Sequence, residues 1–175
     1  MKKNNLESII LGGGCFWCTE AGFLVIKGVK KVTSGYAGGT KVNPTYEEVS
    51  TGETGHAEVI KVEYNPKEIN LEKILDVFFT LHDPTSLNMQ GADIGTQYRS
   101  IILYNILSQK MAIKKYIEKI KANYKKPIVT EIAKLKKFYP AESYHKDYYA
   151  KHQNQPYSRL VIEPKIKKIE KNFGK

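Results

Sequence analysis

Cysteine is scarce in this sequence, since Cys15 and Cys18 are the only two among 175 residues. A structural zinc site needs four ligands, so the two cysteines cannot form one by themselves. Their C-x-x-C spacing instead predicts redox or nucleophilic chemistry rather than a structural disulfide.

Long apolar runs are also missing. The longest, such as residues 100–104, have the length of a strand and fall short of the ~18 residues that a membrane span requires. The first residues, Met-Lys-Lys-Asn-Asn, reach Glu7 after a single leucine, which breaks the apolar region of a secretory signal. We therefore expect a cytoplasmic protein that does not contact a membrane.

Arginine is nearly absent, because 26 of the 28 basic residues are lysine and only Arg99 and Arg159 are arginine. The charge is uneven: residues 110–175 hold 18 basic and 6 acidic side chains, whereas residues 1–109 hold 10 and 12. Such asymmetry is one mark of nucleic-acid binding. Base recognition usually depends on arginine, however, so we favour solvated lysine-rich faces and expect no nucleic-acid partner.

Size and composition are those of an ordinary globular protein, with 41% hydrophobic and 26% charged residues and no internal repeat. We expect a single domain, 1–175, that acts as a monomer. Its core spans about 8–157, and residues 158–175 form a basic peripheral tail.

Apolar periodicity predicts an alternation of strands and helices. The predicted strands are 8–11, 29–36, 57–64, 98–104 and 128–135, and the predicted helices are 16 to near 28, 71–82, 108–123 and 142–152. Two long loops, 40–55 and 86–95, are expected to be functional. The first six elements match a split β-α-β pattern, which predicts an α+β, two-layer sandwich with a ferredoxin-like mixed sheet.

Cys15 follows three glycines at a predicted junction between a strand and a helix. The free N–H groups of a first helical turn stabilise a thiolate, so we expect the pKa of Cys15 to be lowered. The alternatives are a small buried core residue and a general dithiol oxidoreductase of thioredoxin type.

Five short blocks distinguish between these alternatives. They are Gly14-Cys15-Phe16-Trp17-Cys18-Thr19-Glu20, Asn43-Pro44-Thr45-Tyr46, Thr54-Gly55-His56-Ala57-Glu58, Gly95-Thr96-Gln97-Tyr98-Arg99-Ser100, and Phe138-Tyr139-Pro140-Ala141-Glu142 with Tyr144-His145. In this order they resemble the signature blocks of the A-type methionine sulfoxide reductases. The resemblance covers roughly residues 8–157.

The resemblance implies an enzyme that reduces methionine-(S)-sulfoxide, free or in proteins, to methionine. It implies Cys15 as the nucleophile and Glu58 as the acid, with Tyr46 and Tyr98 as hydrogen-bond donors to the sulfoxide oxygen and Asp93 holding the site together. A carboxyl group in an apolar pocket keeps its proton near neutral pH, which suits the role of Glu58. Phe16 and Trp17 are the implied apolar wall for the substrate methyl group. His56, His82 and His145 are given no catalytic role.

Attack on the sulfoxide leaves Cys15 as a sulfenic acid, which a second thiol must resolve. Many relatives carry resolving cysteines in a C-terminal tail, but this sequence has no cysteine after Cys18. Cys18 is therefore the internal candidate, although residues one turn apart must move closer to form a disulfide. We expect thioredoxin, or dithiothreitol in vitro, as the reductant, with no bound cofactor and no metal.

Overall fold

The computed structural model describes residues 5–174, which form one curled sheet, a small hairpin and a layer of helices. The strands are β1 (Glu7–Gly12), β2 (Val29–Ala37), β3 (Ala57–Tyr64), β4 (Met89–Gln90), β5 (Asp93–Ile94), β6 (Ile101–Tyr104), β7 (Glu131–Lys134) and β8 (Phe138–Pro140). The α-helices are α1 (Phe16–Leu24), α2 (Tyr46–Ser50), α3 (Leu71–Leu81), α4 (Leu107–Ile120), α5 (Tyr148–Lys151) and α6 (Glu163–Phe173).

The main sheet has the order β7-β6-β1-β3-β2-β8. Its four central strands are antiparallel, and α1 and α3 connect them in the split β-α-β arrangement. β7 adds to β6 in parallel and β8 adds to β2 in antiparallel orientation, so the sheet is mixed. The predicted α+β class is confirmed, and the alternating pattern of 57–64 forms β3 as expected.

Successive side chains of the central strands point alternately into two buried apolar clusters, one on each face of the sheet. In β1, Ile9 and Leu11 belong to the large cluster under the helices, whereas Ile10 belongs to a smaller cluster on the opposite face. The larger cluster depends on α3, where Ile74 and Phe78 are fully buried. The predicted cap of this helix is confirmed, because the Asn70 side chain accepts a hydrogen bond from the backbone N–H of Lys73.

A short connection shows how strongly the sheet is curled. β7 and β8 are the two edge strands, yet only residues 135–137 separate them along the chain. A link of this length spans at most ~15 Å, whereas the edges of a flat six-stranded sheet lie roughly 24 Å apart. The edges therefore approach each other, and Leu135 and Phe138 cover the smaller cluster.

Several predicted boundaries are wrong for local reasons. The strand expected from residue 98 is a 3₁₀ turn, Thr96–Tyr98, followed by β6. The loop 40–55 contains α2, whose N-terminus is closed by a capping box between Thr45 and Glu48. The helix expected over 142–152 is interrupted, because Asp147 has a left-handed φ of 53° and separates the 3₁₀ turn Ser143–His145 from α5.

The C-terminal segment is not the peripheral tail that the sequence suggested. A π-helical turn, Ser158–Ile162, leads directly into α6. The apolar face of this segment is buried, with Ile162 and Ile169 fully inaccessible and Ile166 nearly so. It packs against α1 and α3, so residues 158–173 belong to the helical layer that covers the site.

Methionine does not contribute to the buried core within residues 5–174. Met89 and Met111 are 36% and 72% exposed, and the apolar interior is built from Ile, Leu, Val, Phe, Tyr and Ala with the two cysteines. Within the same residues, no helix combines the length and hydropathy needed to cross a bilayer.

Candidate active site

Cys15 lies where β1 leaves the sheet and α1 begins. It is the N-cap residue of α1, and its carbonyl oxygen accepts a hydrogen bond from the backbone N–H of Cys18 at 3.1 Å. Gly14 has a φ of +89°, a conformation that favours glycine. A Cβ on Gly13 would lie 2.8 Å from the His82 ring. The glycines therefore permit both the turn into α1 and the close approach of the His82 ring.

The two thiols are free and buried, with Cys15 7% and Cys18 1% exposed. Burial raises the pKa of the Cys15 thiol well above its usual range, and the neighbouring Cys18 and Glu58 add to this effect. The lowered pKa expected from the helix terminus is therefore wrong for the resting enzyme, because loss of water outweighs the single backbone hydrogen bond from Trp17.

The pKa of Cys18 is shifted in the opposite direction from that of Cys15. A hydrogen bond from Cys15 lowers the pKa of Cys18 to about 7, and the positive charge of Lys165 acts in the same direction. The Cys18 sulfur also lies 3.8 Å from the hydroxyl of Tyr157. The dithiol can thus share one negative charge, held on the Cys18 side in the resting state.

Glu58 is the buried carboxyl of the site, with only 2% of its surface exposed. It projects from β3 towards the start of α1, where its carboxylate accepts a hydrogen bond from the backbone N–H of Phe16 at 3.1 Å. Burial nevertheless raises the pKa of Glu58 to about 8, with a further contribution from Asp93. The group therefore carries its proton at neutral pH.

Tyr46 and Tyr98 surround the same space from two different elements. Tyr46 is the first residue of α2, and Tyr98 ends the 3₁₀ turn before β6. The pKa of Tyr46 is raised to about 12, mainly by burial and then by the charges of Glu58 and Cys15. The pKa of Tyr98 is raised by burial and then by Glu58. Both hydroxyls are thus neutral near Glu58 and Cys15.

Asp93 reaches the site through Tyr157. The Tyr157 hydroxyl donates a hydrogen bond to the Asp93 carboxylate at 2.9 Å, and the same hydroxyl contacts Cys18. Asp93 comes from the small β4–β5 hairpin and Tyr157 from the segment before α6. This contact joins the hairpin to the segment before α6 next to Cys18.

Phe16 and Trp17 differ in their access to solvent. Phe16 is fully buried and stacks on Tyr46 with ring centroids 6.4 Å apart, so it presents no free wall to a substrate in this conformation. Trp17 is half-buried, and Tyr148 lies flat on it at 3.7 Å with an interplanar angle of 4°. A substrate methyl group that packs on the indole face must displace Tyr148 or use the opposite face.

Three residues near the site were not given roles from the sequence. The Glu142 carboxylate accepts hydrogen bonds from the backbone N–H of Tyr46 at 3.1 Å and from the hydroxyl of Tyr36 at 3.0 Å. His145 accepts a hydrogen bond from the indole N–H of Trp17 at 3.0 Å. The third is Tyr157. All three lie late in the chain, so only the folded structure reveals their contacts.

The other histidines hydrogen bond within the fold. His82 contacts the Phe78 carbonyl oxygen at 2.8 Å and the Ser100 hydroxyl at 2.7 Å. His56 accepts a hydrogen bond from the Gly39 N–H at 3.0 Å. Within residues 5–174, no three His, Cys, Asp or Glu side chains converge closely enough to hold a metal ion.

Comparison with known proteins agrees with this geometry. Residues 7–175 match the family model described as peptide methionine sulfoxide reductase. The enzyme named peptide methionine sulfoxide reductase MsrA from Sulfolobus acidocaldarius is 52% identical over 168 residues, which is 96% of each chain. The crystal structure of reduced Mxr1 from Saccharomyces cerevisiae superposes with a TM-score of 0.83 at 36% identity, covering 86% of this chain and 87% of Mxr1. Mxr1 in complex with Trx2 has a TM-score of 0.59 at 27% identity, covering 82% and 84%.

Proposed function

Because the chain belongs to the peptide methionine sulfoxide reductase family, we propose that its buried dithiol and protonated carboxyl carry out that family's reaction. The activity is the thiol-dependent reduction of methionine sulfoxide to methionine. The observation that carries the assignment of residues is the position of Glu58, a proton-bearing carboxyl tied to the first turn of the helix that begins at Cys15.

In the first step, the Cys15 sulfur attacks the sulfoxide sulfur while Glu58 protonates the sulfoxide oxygen. A sulfoxide is a poor electrophile until its oxygen is protonated, so the acid and the nucleophile must act together. Tyr46 and Tyr98 donate hydrogen bonds to the same oxygen. The attack forms a bond between the two sulfurs. The hydroxyl then passes to the Cys15 sulfur as that bond and the sulfur–oxygen bond of the substrate break, so methionine leaves and Cys15 carries the oxygen as a sulfenic acid. The proton released by the thiol restores the Glu58 carboxyl.

The raised pKa of Cys15 is compatible with this order of events. Part of the increase comes from the charge of ionised Glu58, and that contribution vanishes while the carboxyl keeps its proton. We infer that the thiol loses its proton only as the substrate enters. The resting nucleophile is therefore protected from other oxidants by its burial.

In the second step, we assign Cys18 as the resolving thiol. It condenses with the sulfenic acid, a Cys15–Cys18 disulfide forms, and water leaves. The mutual effect of the two thiols on their pKa values supports this assignment, because it requires the side chains to be neighbours. Thioredoxin then reduces the disulfide, a role suggested by the Mxr1–Trx2 complex, and dithiothreitol can replace it in vitro.

Other properties follow from the same chemistry. The reaction uses side chains alone, so we propose that it needs no bound cofactor. We assign the S epimer, free or in proteins, as the substrate. Two thiols that must return to the reduced form suit a reducing compartment, so we place the enzyme in the cytoplasm.

One experiment tests both steps. Three proteins are compared: the native protein and the variants Cys15→Ser and Cys18→Ser. Each receives one equivalent of a single epimer of methionine sulfoxide without reductant, and the products are analysed by mass spectrometry. Native protein should release methionine from the S epimer alone and become lighter by two hydrogens. Cys18→Ser should also release methionine but stop as the sulfenic acid, and Cys15→Ser should release none. Methionine release from Cys15→Ser would falsify the assignment of the nucleophile.

A further inference from the structure

A large basic cavity lies next to the dithiol on the side of Cys18. Its volume is about 810 Å³, and it is bounded by the end of α3, the β4–β5 hairpin, residues 123–126 and the segment from Tyr157 to Lys168. Neither cysteine lines it directly, and neither do Glu58, Tyr46 and Trp17, but Tyr157, which contacts Cys18, does. The cavity is therefore separate from the space in which the proposed acid and nucleophile meet.

The inner wall of the cavity is formed by Asp93 and Tyr157. The Tyr157 hydroxyl is bonded to Asp93 at 2.9 Å and lies 3.8 Å from the sulfur of Cys18. One phenol ring thus separates Cys18 from the cavity. A molecule bound there would have to displace this ring to reach the Cys18 sulfur.

The charge of the cavity is positive. Four lysines line it, Lys125, Lys126, Lys165 and Lys168, against the two carboxylates of Asp83 and Asp93. Both carboxylates already accept hydrogen bonds, Asp83 from Thr85 and Asp93 from Tyr157. Within the described part of the chain, none of the four lysines forms an ion pair. Their charges remain available to an anionic ligand.

We propose that this cavity binds a small thiol carrying carboxylates, which reduces the Cys15–Cys18 disulfide by attack on Cys18. The proposal rests on the proposed function, since it needs the disulfide as its target. It adds a second route of reduction beside a protein reductant, with the oxidised substrate and the reducing thiol approaching from different sides.

The chemistry balances with two molecules of the thiol. The first thiolate forms a bond to the Cys18 sulfur, the disulfide breaks, and Cys15 leaves and takes up a proton. The second thiolate attacks the sulfur of the bound small molecule, releasing a small disulfide and the Cys18 thiol. The small thiols lose two electrons, and the protein gains them.

The lysines of the cavity are the reason that the proposed thiol must carry carboxylates. Lys165 is half-buried, and its charge already acts on Cys18. A ligand carboxylate paired with Lys165 or Lys168 would hold the attached thiol near the Tyr157 wall. A neutral thiol lacks this attraction and reaches Cys18 by collision alone.

The test begins by oxidising the intact protein with one equivalent of methionine sulfoxide and removing small molecules. The rate of disulfide reduction is then measured with mercaptosuccinate, which has two carboxylates, and with thioglycerol, which has none, each corrected for its thiolate concentration. We expect mercaptosuccinate to react roughly tenfold faster or more, with a saturating dependence on concentration. The preference should decrease as salt increases.

In the variant Lys165→Gln/Lys168→Gln, the rate of reduction by mercaptosuccinate should fall roughly two- to fivefold for each lysine removed. The rate of reduction by thioglycerol should stay the same. The control Lys31→Gln/Lys67→Gln removes the same charge from exposed lysines far from the cavity and should change neither rate. An equal loss in both double variants, or no preference for mercaptosuccinate in the native protein, overturns the proposal. Failure to release methionine in the oxidation step contradicts the proposed function itself and this inference with it.

Discussion

The carboxylate of Glu58 is held by the backbone N–H of Phe16 at 3.1 Å. Glu58 belongs to β3 and Phe16 opens α1, so this bond fixes the proposed acid to the helix that begins with Cys15. A backbone hydrogen bond thus fixes the Glu58 side chain relative to the start of the helix, so the proposed acid does not rotate freely beside the proposed nucleophile. This arrangement is the preorganisation that concerted proton transfer and attack require.

Replacement of Glu58 by Gln should slow the release of methionine by ~10²–10⁴-fold, the usual scale of lost acid catalysis. The amide oxygen can still accept the Phe16 N–H, so the fold of the site should persist. Rapid-quench measurement of one turnover gives the rate. Glu63→Gln, in the same strand, is the matched control, and equal rates in the two variants would exclude Glu58 as the acid.

The pH dependence of the first step should follow the same carboxyl. Because burial raises the pKa of Glu58 to about 8, the acid form predominates at neutral pH and is lost as the pH rises through that value. The single-turnover rate of the native protein should fall about tenfold per unit above this point. Glu58→Gln should lack this decline, and a decline of equal steepness in the variant would assign it to another group.

Stability should also depend on this carboxyl. Burial raises the pKa of Glu58 from 4.5 to about 8, so the folded state keeps a proton that the unfolded chain has already lost. The contribution of Glu58 to the free energy of unfolding is therefore fully present below pH 4.5 and is lost as the pH rises to about 8. Glu58→Gln should gain, relative to the native protein, on the order of a few kcal/mol between about pH 5 and pH 9 in urea titrations. A constant difference between the two proteins across this range contradicts the buried acid.

Tyr157→Phe should separate the two chemical steps. It removes the hydroxyl that contacts Cys18 and Asp93 and that also interacts with Cys15, but the Cys15 and Glu58 side chains themselves remain. Methionine release in a single turnover should be unchanged, while disulfide formation should slow roughly threefold to tenfold, as expected for one hydrogen bond. Thiol quantification over time measures the second step. Tyr104→Phe, in β6, serves as the control and should change neither step.

The C-terminal helix should contribute strongly to stability. Ile169→Ala removes a fully buried side chain and should cost about 2–5 kcal/mol of unfolding free energy. Leu160→Ala lies in the same segment, but Leu160 is 76% exposed, so its effect should be close to zero. Denaturant titration distinguishes these outcomes. Similar small effects at both positions would support a peripheral tail after all.

The sequence predicted those parts of the molecule that depend on neighbours along the chain. Alternation identified β3 with Glu58, and the glycines before Cys15 identified the sharp turn into α1. The raised pKa of Cys15 was missed because it depends on how tightly later segments cover the thiol. The contacts of Glu142 and Tyr157 could not be predicted either, since they join residues 96 and 139 positions apart.

The placement of the methionines matters for an enzyme whose substrate is itself a product of methionine oxidation. Oxidation turns the thioether into a polar sulfoxide, which disrupts a hydrophobic interior. In residues 5–174, Met89 and Met111 lie at the surface, where the added oxygen meets water. The oxidant that generates the substrate can therefore modify these side chains without unfolding the catalyst, which is then left in working order to repair other proteins.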